Sequence, residues 1–456
     1  MKVLIINPPN TPFTPKSILI EPIDVLTLAS YVKHKGHKVR ILDMDAKRLR
    51  PENIQMEEGF DVAVIIYDYH IPLHTDAVID EVFQIAQKAK NFGAKVFLGG
   101  KAATHLQEKI LIANSPFDVL VANEMEPALM ELLGSEDFSD VRLEKITGIA
   151  FKSSENKVVI TPQRSEKFDL NLLPIPDRNL VDLHDYIDVR TILSSRGCKQ
   201  RCAFCHVSDF WGIWRGRTVK SVVDEIEYLV QKFHAEKILF LDDNAIADKN
   251  RMLAISEEIL KRDIKVTLGC LGSISFFDEA IFAKMYTAGF RWIHFGVESG
   301  DDTLLRNIHK NITREKIVSA VKFAKNIGFR VRTSWILNLP ASDFSSFDKS
   351  AELMLETEPD EIRLHYLVLR LGSEYSRQFS GDMQNTNQYI HGSSPSVNLS
   401  ELDNQELDKK INELLRKLEE RGYTVLRQPD EILPKIGKNE KFVSLCPLRY
   451  GLNWKI

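Results

Sequence analysis

The chain has 456 residues, which suffices for two to three domains, and its 60 Lys and Arg against 64 Asp and Glu give a net charge of -4. This balance excludes the uniformly basic surface of a general nucleic-acid-binding protein. Contents of 44% hydrophobic and 27% charged residues exclude a mostly disordered chain. The longest apolar runs are strand-length, and the opening MKVLIINPPN does not resemble a signal peptide. We therefore expect a cytoplasmic protein without a membrane span.

Residues 1–140 alternate apolar, strand-like segments with helix-like ones, the pattern of a Rossmann-like parallel sheet covered on both faces. Such sheets bind ligands at the carboxyl ends of their strands. The loops expected at that edge contribute Tyr69, His70, Gly99, Gly100, Asn123 and Glu124. The pattern indicates a nucleotide- or cofactor-binding module.

The remaining chain divides into three regions. Residues 141–189 contain a predicted hairpin and a proline-interrupted stretch, and are interpreted as a linker with a small β-ribbon. In residues 190–375, six strand-like segments alternate with helices, which predicts a partial (β/α)6 TIM-type barrel in an α/β protein. Residues 376–456 are expected to form a small α-helical region with a docked tail, including a helix at 400–421 that Ser400 caps.

Three cysteines, Cys198, Cys202 and Cys205, form a C-x3-C-x2-C cluster directly after the first barrel strand. The spacing does not suit a disulfide framework, and three soft thiolates can hold an iron–sulfur cluster that leaves one iron open. Zinc is the alternative, with His206 as a fourth ligand, but His206 adjoins Cys205, which makes joint chelation awkward.

This cluster, with an aromatic residue before the last cysteine, resembles the radical S-adenosylmethionine (SAM) enzymes. The resemblance implies that Cys198, Cys202 and Cys205 bind a [4Fe-4S] cluster and that Phe204 lies near the adenine of SAM. In that family the open iron binds SAM, and an electron from the cluster splits its sulfonium. The 5′-deoxyadenosyl radical that results abstracts hydrogen from an unactivated carbon.

Three further segments match the family in order along the chain. Asp242 ends the second strand, where members place groups near the amino end of SAM. Glu298 lies in a GVESG segment that resembles the fourth-strand motif, whose glutamate contacts the ribose or methionyl part. Asn338 lies in the fifth-strand segment, at a position where glycine is commoner. The resemblance implies that all three residues bind SAM.

The region before the barrel resembles the cobalamin-dependent branch of the same family. The opening NPP, the Gly99-Gly100 loop, the NEME turn at 123–126 and the LPIPDRNL segment all match. The axial histidine of other cobalamin proteins is missing, because Asp45 stands in its place. The resemblance implies a cobalamin cofactor whose lower face is left to another residue, with Tyr69 and His70 as candidates; ordinary polar loop residues are the alternative.

These observations favour a cobalamin-dependent radical SAM enzyme that methylates an unactivated carbon of a small-molecule or peptide substrate. A reductant such as flavodoxin or ferredoxin is expected, and nucleic acid is not. A dehydratase, rearrangement or cyclisation enzyme in which cobalamin is non-methylating or absent is the alternative. A redox- or nucleotide-sensing module is a third interpretation, but a sensor needs no SAM-binding motifs. Methylthiolation of transfer RNA would require three more cysteines and a basic tail.

The carboxyl-terminal segment is rich in functional residue types, with Cys446, Tyr450 and Trp454 spaced four apart. Exposed Trp and Cys at a free terminus would be a liability. We therefore expect residues 442–456 to fold back on the barrel near the substrate, with Cys446 or Tyr450 as a catalytic donor of a proton or hydrogen atom. A docked tail that only packs is the alternative.

Overall fold

The computed structural model describes residues 1–10, 13–55, 59–67, 79–112, 114–379, 398–426 and 441–446. The described chain divides into an N-terminal unit, residues 1–187, and a second unit that begins at residue 188, while the short stretch Asp209–Trp211 groups with the first. Among the described helices, none combines the length and the apolar character that crossing a membrane requires.

The N-terminal unit is a seven-stranded sheet in the order β2-β1-β3-β4-β5-β6-β7. Its strands are β1 Lys2–Asn7, β2 Lys38–Asp43, β3 Val62–Ile66, β4 Lys95–Gly99, β5 Val119–Val121, β6 Ile149–Lys152 and β7 Val158–Ile160. Its helices are α1 Ile23–His34, α2 Ile79–Asn91, α3 Lys101–His105, α4 Gln107–Ile110, α5 Met125–Leu133 and α6 Asp140–Leu143. Strands β1 to β5 pair in parallel, and β3 is apolar throughout because it is buried along its whole length.

The predicted ribbon is present, but it belongs to this sheet instead of to a separate linker. Strand β6 pairs antiparallel with β5, Leu120 opposite Ala150, and β7 pairs with β6. The ribbon thereby satisfies the backbone groups along the free edge of β5. The structure thus groups residues 141–187 with the N-terminal unit.

The second unit contains an all-parallel sheet of eight strands in the order β16-β17-β15-β14-β13-β12-β11-β8, and a two-stranded β9-β10 ribbon. The strands are β8 Arg190–Ile192, β9 Ser195–Arg196, β10 Arg215–Gly216, β11 Lys237–Phe240, β12 Thr267–Ser273, β13 Phe290–Glu298, β14 Arg330–Ile336, β15 Glu361–His365, β16 Thr424–Leu426 and β17 Phe442–Cys446. The helices are α7 Val207–Trp211, α8 Val219–Phe233, α9 Lys249–Lys261, α10 Glu279–Thr287, α11 Asp302–Asn307, α12 Arg314–Asn326, α13 Phe344–Thr357, α14 Glu374–Gln378 and α15 Asn404–Glu420. The prediction of an α/β barrel of the partial TIM type is confirmed.

The two faces of the barrel sheet have different chemistry. Phe295 of β13 stacks on Phe282 of α10 with ring centroids 5.9 Å apart, so this side of β13 faces the helices. Because side chains alternate along a strand, His294 and Gly296 lie on the opposite, inner face. All the strands run in parallel, so their carboxyl ends meet at one edge of the sheet.

The carboxyl-terminal region differs from the prediction in two ways. Its helix begins at Asn404 instead of residue 400, because Asp403 and Glu406 form a capping box, whereas the Ser400 hydroxyl bonds Asn398 Oδ1 at 2.5 Å. The region is also not purely helical, since β16 and β17 extend the six predicted strands to eight. A three-residue strand such as β16 carries too little periodicity to be recognised in the sequence.

Candidate active site

The three clustered cysteines lie on the loop between β9 and α7, at the carboxyl-terminal edge of the barrel sheet, and each is partly exposed. The loop starts at Gly197, whose φ of +85° favours glycine. A side chain there would meet the backbone, since a Cβ would lie 3.0 Å from the Ile213 carbonyl oxygen. The Gly197 N–H donates to Asp243 Oδ2 at 3.0 Å, so Asp243, which follows β11, holds the start of the cysteine loop.

Asp242 holds the segment before that loop. Its fully buried carboxylate accepts hydrogen bonds from Ser194 N at 2.7 Å, Ser194 Oγ at 2.6 Å and Ser195 Oγ at 2.5 Å. Burial raises the pKa of Asp242, although the serine donors oppose the shift. The carboxylate that the sequence assigns to SAM therefore joins the ends of β8 and β11 in this structure, and its contact with SAM stays a prediction.

Sequence reasoning missed two residues that contact the cysteine loop. Cys198 Sγ accepts hydrogen bonds from Gln200 N and from Asn244 Nδ2, each at 3.4 Å. The Gln200 side chain donates to the Lys310 carbonyl oxygen at 2.7 Å and accepts from Ser273 Oγ at 2.8 Å. N–H donors to sulfur stabilise a cluster-bound thiolate. The signal that points to Asn244 is its position directly after the Asp242-Asp243 pair, in the loop that follows β11.

Glu298 ends β13 in a strained conformation beside the cysteines. Its φ is +72°, which is rare for a residue with a side chain, and the pairing register shifts between Gly296 and Glu298. Glu298 Oε1 accepts from Lys310 Nζ at 2.9 Å, and both side chains are almost fully buried. A Cβ at Gly296 would lie 2.9 Å from that Nζ and closer still to Oε1, so glycine makes room for the ion pair.

The charges around Lys310 belong to the cysteine loop and to Glu298. Burial lowers the pKa of the Lys310 ammonium, but Glu298, Cys202 and Cys198 raise it by more, and the net shift is upward. Lys310, which the sequence did not indicate, is thus a permanent positive charge beside the cluster-binding loop. Its carbonyl oxygen also accepts from Ser275 Oγ at 3.1 Å, which fixes the Lys310 backbone.

A small cleft lies beside Glu298, among the ends of β13 and β14 and helices α13 and α15. Its lining includes Glu298, Ser299, Ile336, Leu337, Ser346 and Leu414. Asn338 is buried, and its Oδ1 accepts from Leu367 N at 2.5 Å, so it connects the loops after β14 and β15. Phe204 is half-buried on the cysteine loop. The SAM contacts of Asn338 and Phe204 stay predictions.

The donor set of the cysteine loop fits an iron–sulfur cluster. Burial raises the pKa of Cys202 to about 11 and that of Cys205 to about 12, so iron must displace protons when it binds. Among the described residues, no three His, Cys, Asp or Glu side chains converge on one point as the ligands of a single ion do. A [4Fe-4S] cluster needs no such convergence, because each cysteine binds a different iron atom.

In the N-terminal unit, the carboxyl ends of β4 and β5 present bare backbone and one buried oxygen without a partner. Gly100 has a φ of +115°, and a Cβ at Gly99 would overlap the Met125 side chain. Thr104 Oγ1 donates to the Gly100 carbonyl and accepts from Asn123 N, both at 2.9 Å. Asn123 Oδ1 is buried without a hydrogen-bond partner among the described atoms. Bare backbone and a free amide oxygen fit a flat macrocycle with amide substituents such as cobalamin.

In the loop after β2, the Asp45 carboxylate is already engaged in hydrogen bonds and is not available to bind cobalt. Asp45 is almost fully buried, and its carboxylate accepts from Asn10 N at 3.3 Å, Thr14 N at 3.1 Å and Asn10 Nδ2 at 3.0 Å. Glu124, also a predicted contact, accepts from Phe168 N at 3.4 Å. The candidates Tyr69 and His70 lie outside the described residues.

The structure describes only the first residues of the predicted docked tail. Residues Phe442–Cys446 form β17, which pairs in parallel with β15 and sets Cys446 opposite His365. The first five residues of the tail are therefore part of the barrel sheet. The Cys446 side chain and Tyr450 lie outside the description, so their catalytic role stays a prediction.

Two family models match the chain, the Radical SAM superfamily over residues 192–354 and the B12 binding domain over residues 19–133. The chain is a radical SAM enzyme with a B12-binding domain. Its cofactors are a [4Fe-4S] cluster, SAM and cobalamin, as the sequence predicted, and the zinc and sensor interpretations are set aside. A radical SAM enzyme acts on a small-molecule or peptide substrate and requires a reductant.

Relatives of this radical SAM enzyme carry different activities in their names. An uncharacterized methyltransferase of Pyrococcus horikoshii is 29% identical over 75% of this chain and 74% of its own. The anaerobic magnesium-protoporphyrin IX monomethyl ester cyclase of Rubrivivax gelatinosus is 25% identical over 62% of this chain but only 52% of its own. The structure of the methyltransferase TsrM from Kitasatospora setae aligns with a TM-score of 0.69 at 19% identity, covering 84% of this chain and 76% of that one, so the two share a fold.

Proposed function

We propose that this chain transfers a methyl group from SAM, by way of cobalamin, to an unactivated carbon of a small-molecule or peptide substrate. The observation that carries the proposal is the presence in one chain of a three-cysteine loop and of a glycine-rich, cobalamin-compatible strand end. The cluster with SAM supplies a radical that abstracts hydrogen, and cobalamin supplies the methyl group.

Different residues of the chain would hold each of these cofactors. Cys198, Cys202 and Cys205 would bind the cluster, while Glu298 and Lys310 offer a carboxylate and an ammonium for the polar groups of SAM. Gly100 and Asn123 would accommodate the corrin. Holding the reacting groups in one geometry is the main contribution that the protein makes to such chemistry.

The cobalamin is expected to bind without a protein nitrogen on cobalt. Asp45 occupies the position of the usual axial histidine, and its carboxylate is engaged by Asn10 and Thr14. Electron paramagnetic resonance of the cobalt(II) form tests this expectation. Nitrogen superhyperfine splitting from the protein would instead assign a ligand such as His70.

A second candidate function is radical cyclisation or rearrangement without methyl transfer. The similarity to the magnesium-protoporphyrin ester cyclase favours it. The two functions differ in stoichiometry, because methyl transfer consumes one SAM to the deoxyadenosyl radical and a second to S-adenosylhomocysteine. Cyclisation yields no S-adenosylhomocysteine.

The experiment is anaerobic reconstitution followed by mass spectrometry of candidate substrates and of both SAM products. Methylation predicts corrin absorbance in the purified protein, with S-adenosylhomocysteine and 5′-deoxyadenosine in equal amounts. A protein that makes only 5′-deoxyadenosine and retains no corrin would contradict the proposal.

The finer assignments of the sequence belong to the same proposal. Flavodoxin or ferredoxin would supply the electron, and the cytoplasm would keep the free cysteines reduced. Cys446 or Tyr450 would donate a proton or hydrogen atom to the substrate. Removing residues 447–456, which spares β17, is expected to retain the cluster but to reduce the yield of product per SAM cleaved.

A further inference from the structure

The inner face of the barrel sheet carries basic and hydroxyl side chains near the carboxyl ends of β13, β14 and β15. In the pairing register, His294 lies opposite Arg332, Ser334 opposite Arg363, and Ile336 opposite His365. Because side chains alternate along each strand, five of these polar residues share the inner face. We name them the basic row: His294, Arg332, Ser334, Arg363 and His365.

The contacts within the basic row leave one buried donor without a partner. His294 Nε2 lies 2.5 Å from Ser334 Oγ. Arg332 donates from Nε to Glu361 Oε2 at 2.5 Å, and its guanidinium carbon lies 5.0 Å from the centre of the Trp292 ring. Arg332 Nη1 is buried and has no hydrogen-bond partner among the described atoms. An unpartnered buried N–H is costly, so native structures usually supply a partner.

The residues of the basic row differ in their exposure to solvent. Arg332 is 1% exposed and Arg363 6%, whereas His294, His365 and Gly296 are more accessible. The two arginines are therefore enclosed, while both histidines are partly exposed. His294 precedes Gly296 by two residues, about 7 Å along the strand. His294 and Arg332 thus lie closer to the amino ends of their strands than Glu298 does, whereas His365 lies level with Ile336 at the carboxyl end of β14.

Both carboxylates at the inner-face positions of these strands are already paired with basic side chains. At the inner-face positions of β13, β14 and β15, the described carboxylates are Glu298, paired with Lys310, and Glu361, which accepts from both Arg330 and Arg332. Burial lowers the pKa of both row histidines, and the neighbouring arginines lower it further. An anionic ligand would supply the acceptor that Arg332 Nη1 lacks among the described atoms.

We propose that the basic row binds an oxyanion of the substrate, a carboxylate or a phosphoryl group. The guanidinium of Arg363 and the unpartnered Nη1 of Arg332 supply charge-assisted hydrogen bonds, and His294, Ser334 and His365 complete the ring of donors. The anionic end of the substrate then lies at the base of the barrel, with the rest of the molecule directed toward the cysteine loop. This inference rests on the proposed function in that the ligand is the substrate of the same barrel.

The test is calorimetric titration of the reconstituted holoenzyme, with SAM bound, using inorganic phosphate, malonate and chloride. Saturable binding of one phosphate or malonate per chain is expected, with chloride much weaker. The tighter of the two anions identifies the group as phosphoryl or carboxylate. Arg363→Gln should weaken this binding at least tenfold and Ser334→Ala a few-fold. Arg421→Gln, which removes an exposed arginine that follows α15 and pairs with Glu358, should leave it unchanged.

Iron content and circular dichroism of each variant establish that it is folded. If Arg363→Gln fails to fold, Ser334→Ala and His365→Leu are used instead, because both remove a hydrogen-bond donor without removing a permanent charge. The inference is overturned if the wild type binds neither anion, or if folded row variants bind as the wild type does. Corrin absorbance is measured on the same samples, so a protein that binds the anion but no corrin contradicts only the proposed function.

Discussion

The two cofactor-binding regions of this chain are built in opposite ways. In the barrel, side chains fix the cysteine loop before any ligand arrives: Asp242 holds its base, Asp243 its first residue, and Gln200 its middle. In the N-terminal unit, the strand ends near Gly100 and Asn123 offer backbone groups and one buried amide oxygen. A cluster that bonds to three thiolates requires a loop whose position is already fixed. A large ring such as a corrin can instead be held by many weaker contacts with backbone and amide groups.

The largest expected effect is loss of the cluster from the barrel region. Cys198→Ala, Cys202→Ala and Cys205→Ala should each abolish the broad iron–sulfur absorbance and the formation of 5′-deoxyadenosine, because each removes one of three iron ligands. Corrin binding by the N-terminal unit should persist. Cys270→Ala is the matched control, since this buried cysteine lies in β12 away from the loop. A triad variant that keeps a full cluster and cleaves SAM would refute the assignment.

Breaking the buried ion pair should destabilise the barrel. Lys310→Met leaves Glu298 buried without its partner, which costs about 3–5 kcal/mol of unfolding free energy. Denaturant titration followed by the fluorescence of the buried Trp292 and Trp335 measures this loss. Lys265→Met breaks an exposed pair with Asp263 and should cost less than about 1 kcal/mol. Adding Glu298→Gln to Lys310→Met should recover part of the stability; equal losses in the two lysine variants would contradict the prediction.

A change in the N-terminal unit should affect corrin binding alone. Gly100→Ala places a side chain at a φ of +115°, which costs about 1–3 kcal/mol and disturbs the bare strand end. We expect corrin affinity to fall about tenfold, as measured by absorbance titration, with iron content unchanged. Gly93→Ala imposes similar strain at a φ of +84° after α2, where no neighbouring atom would contact the new side chain. If Gly93→Ala weakens corrin binding equally, the effect is general destabilisation.

The smallest expected effect is a pH dependence confined to the barrel. Burial, with Arg363 next, lowers the pKa of His365 to about 3, so the folded state binds this proton less well than the unfolded chain does. Stability is therefore highest above the unfolded value near 6.5 and falls as the pH drops below it. Between pH 7.0 and 5.5 the loss is about 1 kcal/mol. His365→Gln should remove this part of the slope in denaturant titrations, while His34→Gln, at an exposed site in the N-terminal unit, should not.

The sequence by itself determined the elements whose signals are local. The sequence predicts helices over residues 219–233 and 249–261, and α8 and α9 have these bounds. Their apolar stripes and their caps, Thr218 and Asp248, are local signals that lie within a few residues of each other. The C-x3-C-x2-C motif is likewise recognisable without information from distant residues, since the three cysteines and Gly197 lie in one continuous segment. Fold class, family and cofactors followed from these local patterns.

Only the tertiary structure decided which distant residues meet. Lys310 pairs with Glu298 across a strand end and a helix, and Asp242 is occupied by Ser194, 48 residues earlier. The β-ribbon joins the first sheet, and β17 joins the second, through backbone pairing that no side-chain pattern encodes. The basic row has the same origin, because the register of three strands places residues 294, 332 and 363 on one face. Such contacts depend on strand pairing between remote segments, which a single sequence does not record.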